Sequence, residues 1–542
     1  MTHEPDEKPT GSGPPDGGMT KAVAGLLLLY GVTRGWRLLA LPIVNDEAIY
    51  IRWASIIRDT PANLFLPSLD GKTPLFMWLN ALSLGLVDDP LLSGRILSVL
   101  AGVLALVGVL RLGTRLFSNT VGLWAAAIYV VLPFSLIHDR FALVDSLLNA
   151  CIIWTLLLAL RLDRSDRRRW WRAVGLGLVM GAGFLTKTSF VALAFLPGAA
   201  LLLLPGRRGR DAWLRLAVAY AVALVICLPY LLHDPAVSSA GSSKLFHNVS
   251  FLGDPGRIFA GSTILENLGA MAGAVARYLG WPVAALLAFS WLGARREELR
   301  RRTILWLWIG LPCLAIVLLL TNIYSRYYLF VAAPSALLAA RTLEAAVDRF
   351  QRRESRGGVG ARPIRVGVTI LLLLPALSFD GRLLSDPRRA PWTSRDAWQY
   401  TASEYSGDGI AEAVELLREQ AASGSVAVFT SYTWGVPGDA LFLYLRDEPQ
   451  VSFYEAWWMY ERPLLPPDPG ALKIYRSKYE PTAVRGTLTA ADLVGRRIFF
   501  VARDSLANPP QLLRDNPGLT PLRSFHRLDD GYAFTIYTHL QE

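Results

Sequence analysis

Ionisable residues in this chain collect at the edges of long apolar runs. Asp46 and Glu47 follow the first run, Lys72 precedes a short aromatic stretch, and His138, Asp139, Arg140 and Asp145 fill the gap between two later runs. Lys187 interrupts another gap, and Arg326 with Tyr327 opens a further run. Charges at or inside a hydrocarbon boundary are costly and tend to serve a site. Carboxylates and cations gathered at such a boundary suit glycosyl transfer from a sugar phosphate carried on a lipid. The leaving phosphate needs cations, which Lys72, Arg326 and Lys187 could supply. The acceptor hydroxyl needs a base near the anomeric carbon, and Asp46 suits that role. Asp145 could orient the base, hold a cation or support developing oxocarbenium charge.

The apolar runs must position these groups. Of the 542 residues, 52% are hydrophobic and 18% charged, where about a quarter charged is usual. A span needs about 20 apolar residues. Spans are predicted near 21–43, 91–110, 119–137, 143–160, 172–186, 188–205, 213–232, 271–292, 303–321, 326–342 and 365–380, eleven in all. An odd number puts the termini on opposite sides. Loops 111–118, 161–172, 206–215, 294–302 and 341–365 hold 24 Lys and Arg, against 8 in the longer alternate loops. Basic loops stay in the cytosol. The N-terminus is therefore expected inside, with all the candidate site residues on the outer side, where they could line one cavity. The net charge of +11 reads as this topology signal, since no nucleic-acid-binding signature accompanies it.

Residues 1–20 are expected to form a disordered cytosolic tail, 21–380 the membrane region, and 395–542 an extracytoplasmic α/β domain. Cys151, Cys227 and Cys313 all fall in predicted spans, which excludes disulfides from the C-terminal part. Residues 74–82 are too short to span and should lie along the interface as an amphipathic helix. The segment 233–270, rich in Gly and Ser, reads as a flap. Beyond it, 409–420 has helical periodicity, while 425–430, 497–502 and 531–539 read as strands. Gly435 to Ala440 reads as a turn leading into a helix capped by Asp439. The aromatic run 453–458 could stack against a sugar or pack on the membrane region, and packing is favoured.

The motifs together resemble a known class. Asn45-Asp46-Glu47-Ala48-Ile49-Tyr50 is similar to the Asp-Glu motif of GT-C glycosyltransferases, which include protein O-mannosyltransferases and the aminoarabinose transferase of lipid A. Gly71-Lys72-Thr73-Pro74-Leu75 resembles their Lys-Pro-Pro-Leu element, and the segment Phe141 to Leu148 around Asp145 resembles their Leu-Asp-Pro-Leu element. Gly183-Phe184-Leu185-Thr186-Lys187 resembles their Gly-Phe-Leu-Thr-Lys-Gly turn, and Arg326-Tyr327-Tyr328-Leu329 with Pro334 their Arg-Tyr-Leu…Pro segment. Thr73, Thr188 and Ile49 depart from the class, which has Pro, Gly and, in the lipid A enzymes, Arg at those places. The likeness covers residues 20–345.

This resemblance implies a polytopic α-helical membrane protein of GT-C fold in the plasma (inner) membrane, carrying a C-terminal extracytoplasmic α/β domain. It implies a polyprenyl-phosphate-linked sugar donor, inversion at the anomeric carbon, and a protein, glycolipid or cell-wall polymer as acceptor. Asp46 becomes the expected base, with Glu47 and Asp145 as further catalytic carboxylates. Lys72 is the expected phosphate contact, joined by Tyr50, Lys187, Arg326 and Tyr327 in substrate binding. No nucleotide cofactor and no nucleic acid are expected. Some relatives use a divalent cation, for which His138, Asp139, His233, Asp234 and His247 are the candidates, although no ligand spacing singles them out.

Plainer readings stand beside each residue. Lys72 could snorkel to headgroups, and Asp145 could balance a helix dipole. Arg34 and Arg37, inside the first predicted span, need acidic partners or a polar interior. A transporter or flippase would place polar groups at mid-membrane and show paired repeats; here the charges gather at one face and no repeat is visible. A non-catalytic envelope-binding protein would need fewer spans than eleven.

Overall fold

The computed structural model describes residues 17–162, 170–204, 209–233, 261–292, 294–320, 323–354, 361–430, 435–455, 472–473, 493–503, 509–527 and 531–539. Every predicted apolar run becomes helical. The first helices are α1 (Gly17–Gly35), α2 (Asn45–Asp59), α3 (Leu75–Ser83), α4 (Pro90–Leu116), α5 (Asn119–Val131), α6 (Pro133–His138), α7 (Val144–Ala159) and α8 (Trp170–Thr186). A 3₁₀ segment, Thr188–Leu193, leads into α9 (Leu196–Leu203), followed by α10 (Arg210–His233), α11 (Gly261–Tyr278), α12 (Trp281–Ala288) and α13 (Arg296–Leu319). A second 3₁₀ segment, Ser325–Val331, opens α14 (Ala332–Glu354), and α15 (Ala361–Ser385) ends the apolar region.

Among the described residues, the helical stretches Pro90–Leu116, Arg210–His233, Arg296–Leu319 and Ser325–Arg349 are long and apolar enough to cross a membrane. Large apolar side chains point outward on them, such as Leu100 and Leu104 on α4 and Leu224, Val225 and Leu232 on α10. Such faces mark contact with lipid. The single span expected over 271–292 is instead two helices, α11 and α12, bent by 107°. Gly280 at φ +81° followed by Trp281-Pro282 breaks the run, because glycine permits the turn and proline cannot continue the preceding helix. The first expected span also stops early, at Gly35. The amphipathic element expected at 74–82 is α3.

Buried arginines tie these helix ends together. Arg140 donates to the carbonyls of Thr33, Arg34, Trp36 and Arg37 at 2.8–3.0 Å, covering the carbonyls that the end of α1 leaves open. Arg34 donates to the Val130 carbonyl and to Ser135, and lies 3.8 Å from Asp139. The acidic partner expected for Arg34 is thus Asp139, which also accepts from Tyr30 at 3.0 Å and Ser146 at 2.8 Å. Arg37 instead donates to the Ser385 carbonyl. Gly102 of α4 lets α1 approach, since a β-carbon there would stand 1.8 Å from the Tyr30 hydroxyl oxygen and 2.6 Å from the Asp139 carboxylate. Gly102→Ala is expected to cost about 1–3 kcal/mol by overpacking, read as a lower thermal unfolding midpoint in detergent.

Beyond α15 lie helices α16 (Ile410–Ala422), α17 (Gly438–Leu445) and α18 (Pro509–Asp515), and strands β1 (Val426–Thr430), β2 (Val451–Glu455), β3 (Leu472–Lys473), β4 (Arg497–Arg503), β5 (Leu519–His526) and β6 (Tyr532–His539). The expected strands are β1, β4 and β6. The sheet order is β3-β2-β1-β4-β6-β5, with β1 parallel to β2 and β4 and the outer pairs antiparallel. Strand alternation divides it into two faces. Val426, Val428, Phe499, Val501 and Ile536 join a core continuous with the membrane helices. Ala427, Phe429, Ile498, Phe500 and Tyr537 form a separate cluster with Leu512 of α18. Asp439 does not cap α17: it lies inside the first turn and accepts from the Gly435 N–H at 2.7 Å.

Candidate active site

Asp46 sits in the first turn of α2, where an acidic residue favours the helix dipole. Tyr50 follows one turn later on the same face. Lys72 lies in the turn before α3, Asp145 in the first turn of α7, Lys187 between α8 and its 3₁₀ extension, and Arg326 in the 3₁₀ segment opening α14. All are helix ends or connections, and folding brings them together. Arg326 Nη2 lies 2.6 Å from Asp46 Oδ2, with the two side chains 9% and 24% exposed. Lys187 Nζ lies 2.7 Å from Asp145 Oδ1. Lys187 also stands 4.3 Å from the centre of the Tyr327 ring, and the Arg326 guanidinium 4.9 Å from that of Tyr324, distances at which a cation is attracted to a π face.

The charges of these groups reach one another. Burial alone would push the Asp46 carboxyl up, but Arg326, Lys72 and Lys187 hold it below the usual carboxylate range. Burial raises the Tyr50 phenol, which leaves it a neutral hydrogen-bond donor. Arg326 Nη1, both ring nitrogens of His138 and the Tyr400 hydroxyl are buried without a hydrogen-bond partner among the described residues. Buried polar groups are ordinarily paired, so these are places where a polar ligand would be met.

Glu47, adjacent to Asp46, is placed quite differently. It is fully buried, with both carboxylate oxygens bonded to Arg95 at 2.9 and 2.7 Å. It also accepts from the backbone N–H groups of Ala142 at 2.6 Å and Val44 at 3.1 Å. Arg95 completes its shell with the carbonyls of Leu38, Leu41 and Pro42. Sequence reasoning passed over Arg95, although an arginine inside a predicted span was a signal that it had a partner.

Among the described residues the cation candidates do not converge. His138 is buried, Asp139 is engaged by Arg34, Tyr30 and Ser146, and His233 packs against the Phe65 ring at 4.7 Å. Asp234 and His247 lie outside the described residues. Among the described residues no group of three or more His, Cys, Asp or Glu side chains could hold a metal ion. The aromatic run splits likewise: Phe453 packs on Phe442 and Tyr454 on Phe429, while 456–458 lie outside the described residues.

Comparison with known proteins follows the same lines. The family of dolichyl-phosphate-mannose-protein mannosyltransferases matches residues 71–233, which hold Lys72, Asp145 and Lys187. The lipid A galacturonosyltransferase RgtD of Rhizobium johnstonii is 30% identical over 218 residues, 38% of this chain and 42% of its own length. The match therefore spans less than half of that relative. The structure of ArnT from Cupriavidus metallidurans bound to undecaprenyl phosphate superposes with a TM-score of 0.57 at 12% identity, over 98% of this chain and 99% of that one. The oligosaccharyltransferase AglB of Archaeoglobus fulgidus, in complex with an inhibitory peptide and a dolichol-phosphate, gives 0.53 at 14% identity over 78% of this chain and 64% of its own. Similar in architecture to ArnT along nearly its whole length, the chain shares the fold of that protein.

Proposed function

We propose that the protein is a membrane glycosyltransferase that moves a sugar from a polyprenyl-phosphate donor to an acceptor hydroxyl on the extracytoplasmic face. The observation that carries the reading is the meeting of Asp46 with Arg326, and of Asp145 with Lys187, beside Lys72. The acceptor oxygen attacks the anomeric carbon with inversion, and its proton passes to Asp46. The bond from that carbon to the phosphate oxygen breaks, and the electron pair leaves on polyprenyl phosphate. Lys72, Lys187 and Arg326 stabilise that charge, with Asp145 holding Lys187 in place. Arg326 has a role on both sides. Its contact with Asp46 makes that carboxylate a weak base before donor binds. An incoming phosphate competes for the guanidinium, whose Nη1 has no hydrogen-bond partner among the described residues, and so restores basicity at Asp46.

The eleven-span reading, with the N-terminus in the cytosol of a plasma (inner) membrane protein and the C-terminal α/β unit outside, belongs to the same proposal. It is supported by the basic-loop asymmetry and by the helices that occupy each predicted run. RgtD's name and the lipid phosphates bound by ArnT and AglB suggest which donors to try first. The test is purified full-length protein with undecaprenyl- and dolichyl-phosphate carrying mannose, galacturonate or aminoarabinose, against lipid A, peptide and wall-polymer acceptors. Expected is transfer from at least one donor with stoichiometric release of polyprenyl phosphate. No transfer from any donor, together with no binding of undecaprenyl phosphate itself, would overturn the reading.

A further inference from the structure

Asp46 and Arg326 are each held from behind by residues that follow α15. On the Asp46 side, the neighbouring Asn45 accepts at Oδ1 from the Val436 N–H at 3.1 Å and from Arg503 Nη2 at 3.2 Å. The backbone N–H of Asn45 donates to the Tyr405 carbonyl at 3.0 Å. Arg503, buried at the end of β4, also donates through Nε to the Val436 carbonyl at 2.7 Å and lies 5.0 Å from the centre of the Tyr405 ring. Two glycines permit this approach. Gly435 has φ +85°, and a β-carbon there would stand 2.2 Å from Asn45 Oδ1. Gly407 has φ +76°, and its β-carbon would stand 1.9 Å from the Ile43 carbonyl oxygen. At both, the backbone conformation and the lack of room call for glycine.

On the Arg326 side, Ser325 donates to Asp396 Oδ1 at 2.8 Å. The other Asp396 oxygen accepts from Tyr278 at 2.5 Å and Thr393 at 2.8 Å, and Arg395 donates to the Ile323 carbonyl at 3.0 Å. Asp396 is 1% exposed, so this is a buried and fully engaged carboxylate. Further along α2, Arg52 lies 3.6 Å from the centre of the Phe442 ring and 4.0 Å from Asp439, while Asp59 meets Arg446 at 2.5 Å. General packing of a C-terminal unit on a helix would account for those last contacts. It gives no reason for hydrogen bonds to fall on the residues immediately before each member of the ion pair.

We propose that the chain beyond α15 is a positioning frame for the Asp46–Arg326 pair. Asn45, with Val436, Gly435 and Arg503, sets the Asp46 carboxylate, and Asp396 sets the Arg326 guanidinium through Ser325. The first turn of a helix lacks intrahelical partners for its N–H groups and frays unless held; here Tyr405, Val436 and Arg503 hold Asn45, beside the Glu47 contact with the Val44 N–H. What the pair does chemically rests on the proposed function. That the frame holds it does not.

The test uses full-length protein in lipid nanodiscs, comparing wild type with Asn45→Ala, Asn45→Asp and the milder Arg503→Lys. Hydrogen exchange over residues 44–50 is expected to quicken about tenfold or more in Asn45→Ala, with α4 and α7 unchanged, as in a local opening. Asn45→Asp keeps an acceptor for both donors and should restore slow exchange. With an active donor, kcat is expected to fall about 10²-fold in Asn45→Ala, as for a small misplacement of a reacting group, while the donor KM changes little. Unchanged exchange over 44–50 in both Asn45→Ala and Arg503→Lys, or equal loosening of every helix, would overturn the frame. Local loosening in a protein that transfers no sugar would uphold the frame and count against the proposed function alone.

Discussion

Asp46→Asn is expected to lower kcat by about 10² to 10⁴-fold, the range a general base contributes, in a protein that still folds but whose thermal midpoint falls with loss of the ion pair to Arg326. Asparagine has the same shape and keeps an oxygen for Arg326, but the negative charge is lost together with the proton acceptor. The pH profile carries the same information. A carboxyl held down in the folded protein stays ionised to lower pH than an ordinary one, and Arg326 and the two lysines hold Asp46 down against its burial. The acid limb of kcat/KM, which reports the free protein, should therefore lie below the usual carboxylate range of about 4. The limb of kcat should lie higher, because bound phosphate draws Arg326 away. Arg326→Gln is expected to raise the kcat/KM limb. The stability Asp46 gains from these cations is present above its unfolded pKa and is lost as pH falls through the folded one. Transfer by Asp46→Asn at the wild-type rate would remove the mechanism.

Glu47→Ala is expected to act on folding. It leaves the Arg95 guanidinium buried without its counter-charge, at a cost of about 3–5 kcal/mol for breaking such a pair. It also releases the N–H groups of Ala142 and Val44. The expected result is a large fall in thermal midpoint and in yield of folded protein. Glu47→Gln keeps acceptor capacity but removes the charge, and should fall between. A Glu47→Ala protein of wild-type stability but without transfer activity would show a chemical role at this position. Through its bonds to Arg95 and to the Val44 and Ala142 N–H groups, Glu47 fixes the start of α2.

These two carboxylates show what could be read beforehand and what could not. Residue type and membrane depth treat Asp46 and Glu47 alike, and motif position alone favoured Asp46 as the base. Adjacent helical residues point about 100° apart, so one meets Arg326 at a partly exposed position and the other meets Arg95 in the core. Nothing local in the sequence states that rotation. The Asp145–Lys187 pair was legible only as two unpaired costs at the same face, and its 2.7 Å contact needed α7 and α8 to pack. The break at Gly280-Trp281-Pro282 was written in the chain, yet hydropathy averaged over a window passes across a single turn.

By itself, the sequence determined where helices must form and which edges carry charge. Backbone groups in hydrocarbon have to bond within their own segment, and a charge there needs a purpose; both are properties of a stretch of chain and its solvent. Tertiary structure alone decided which charge answers which, and that residues after α15 return to grip Asn45 and Ser325. Those choices depend on contacts between segments 42 to 458 residues apart, where a distance change of an ångström separates a hydrogen bond from none.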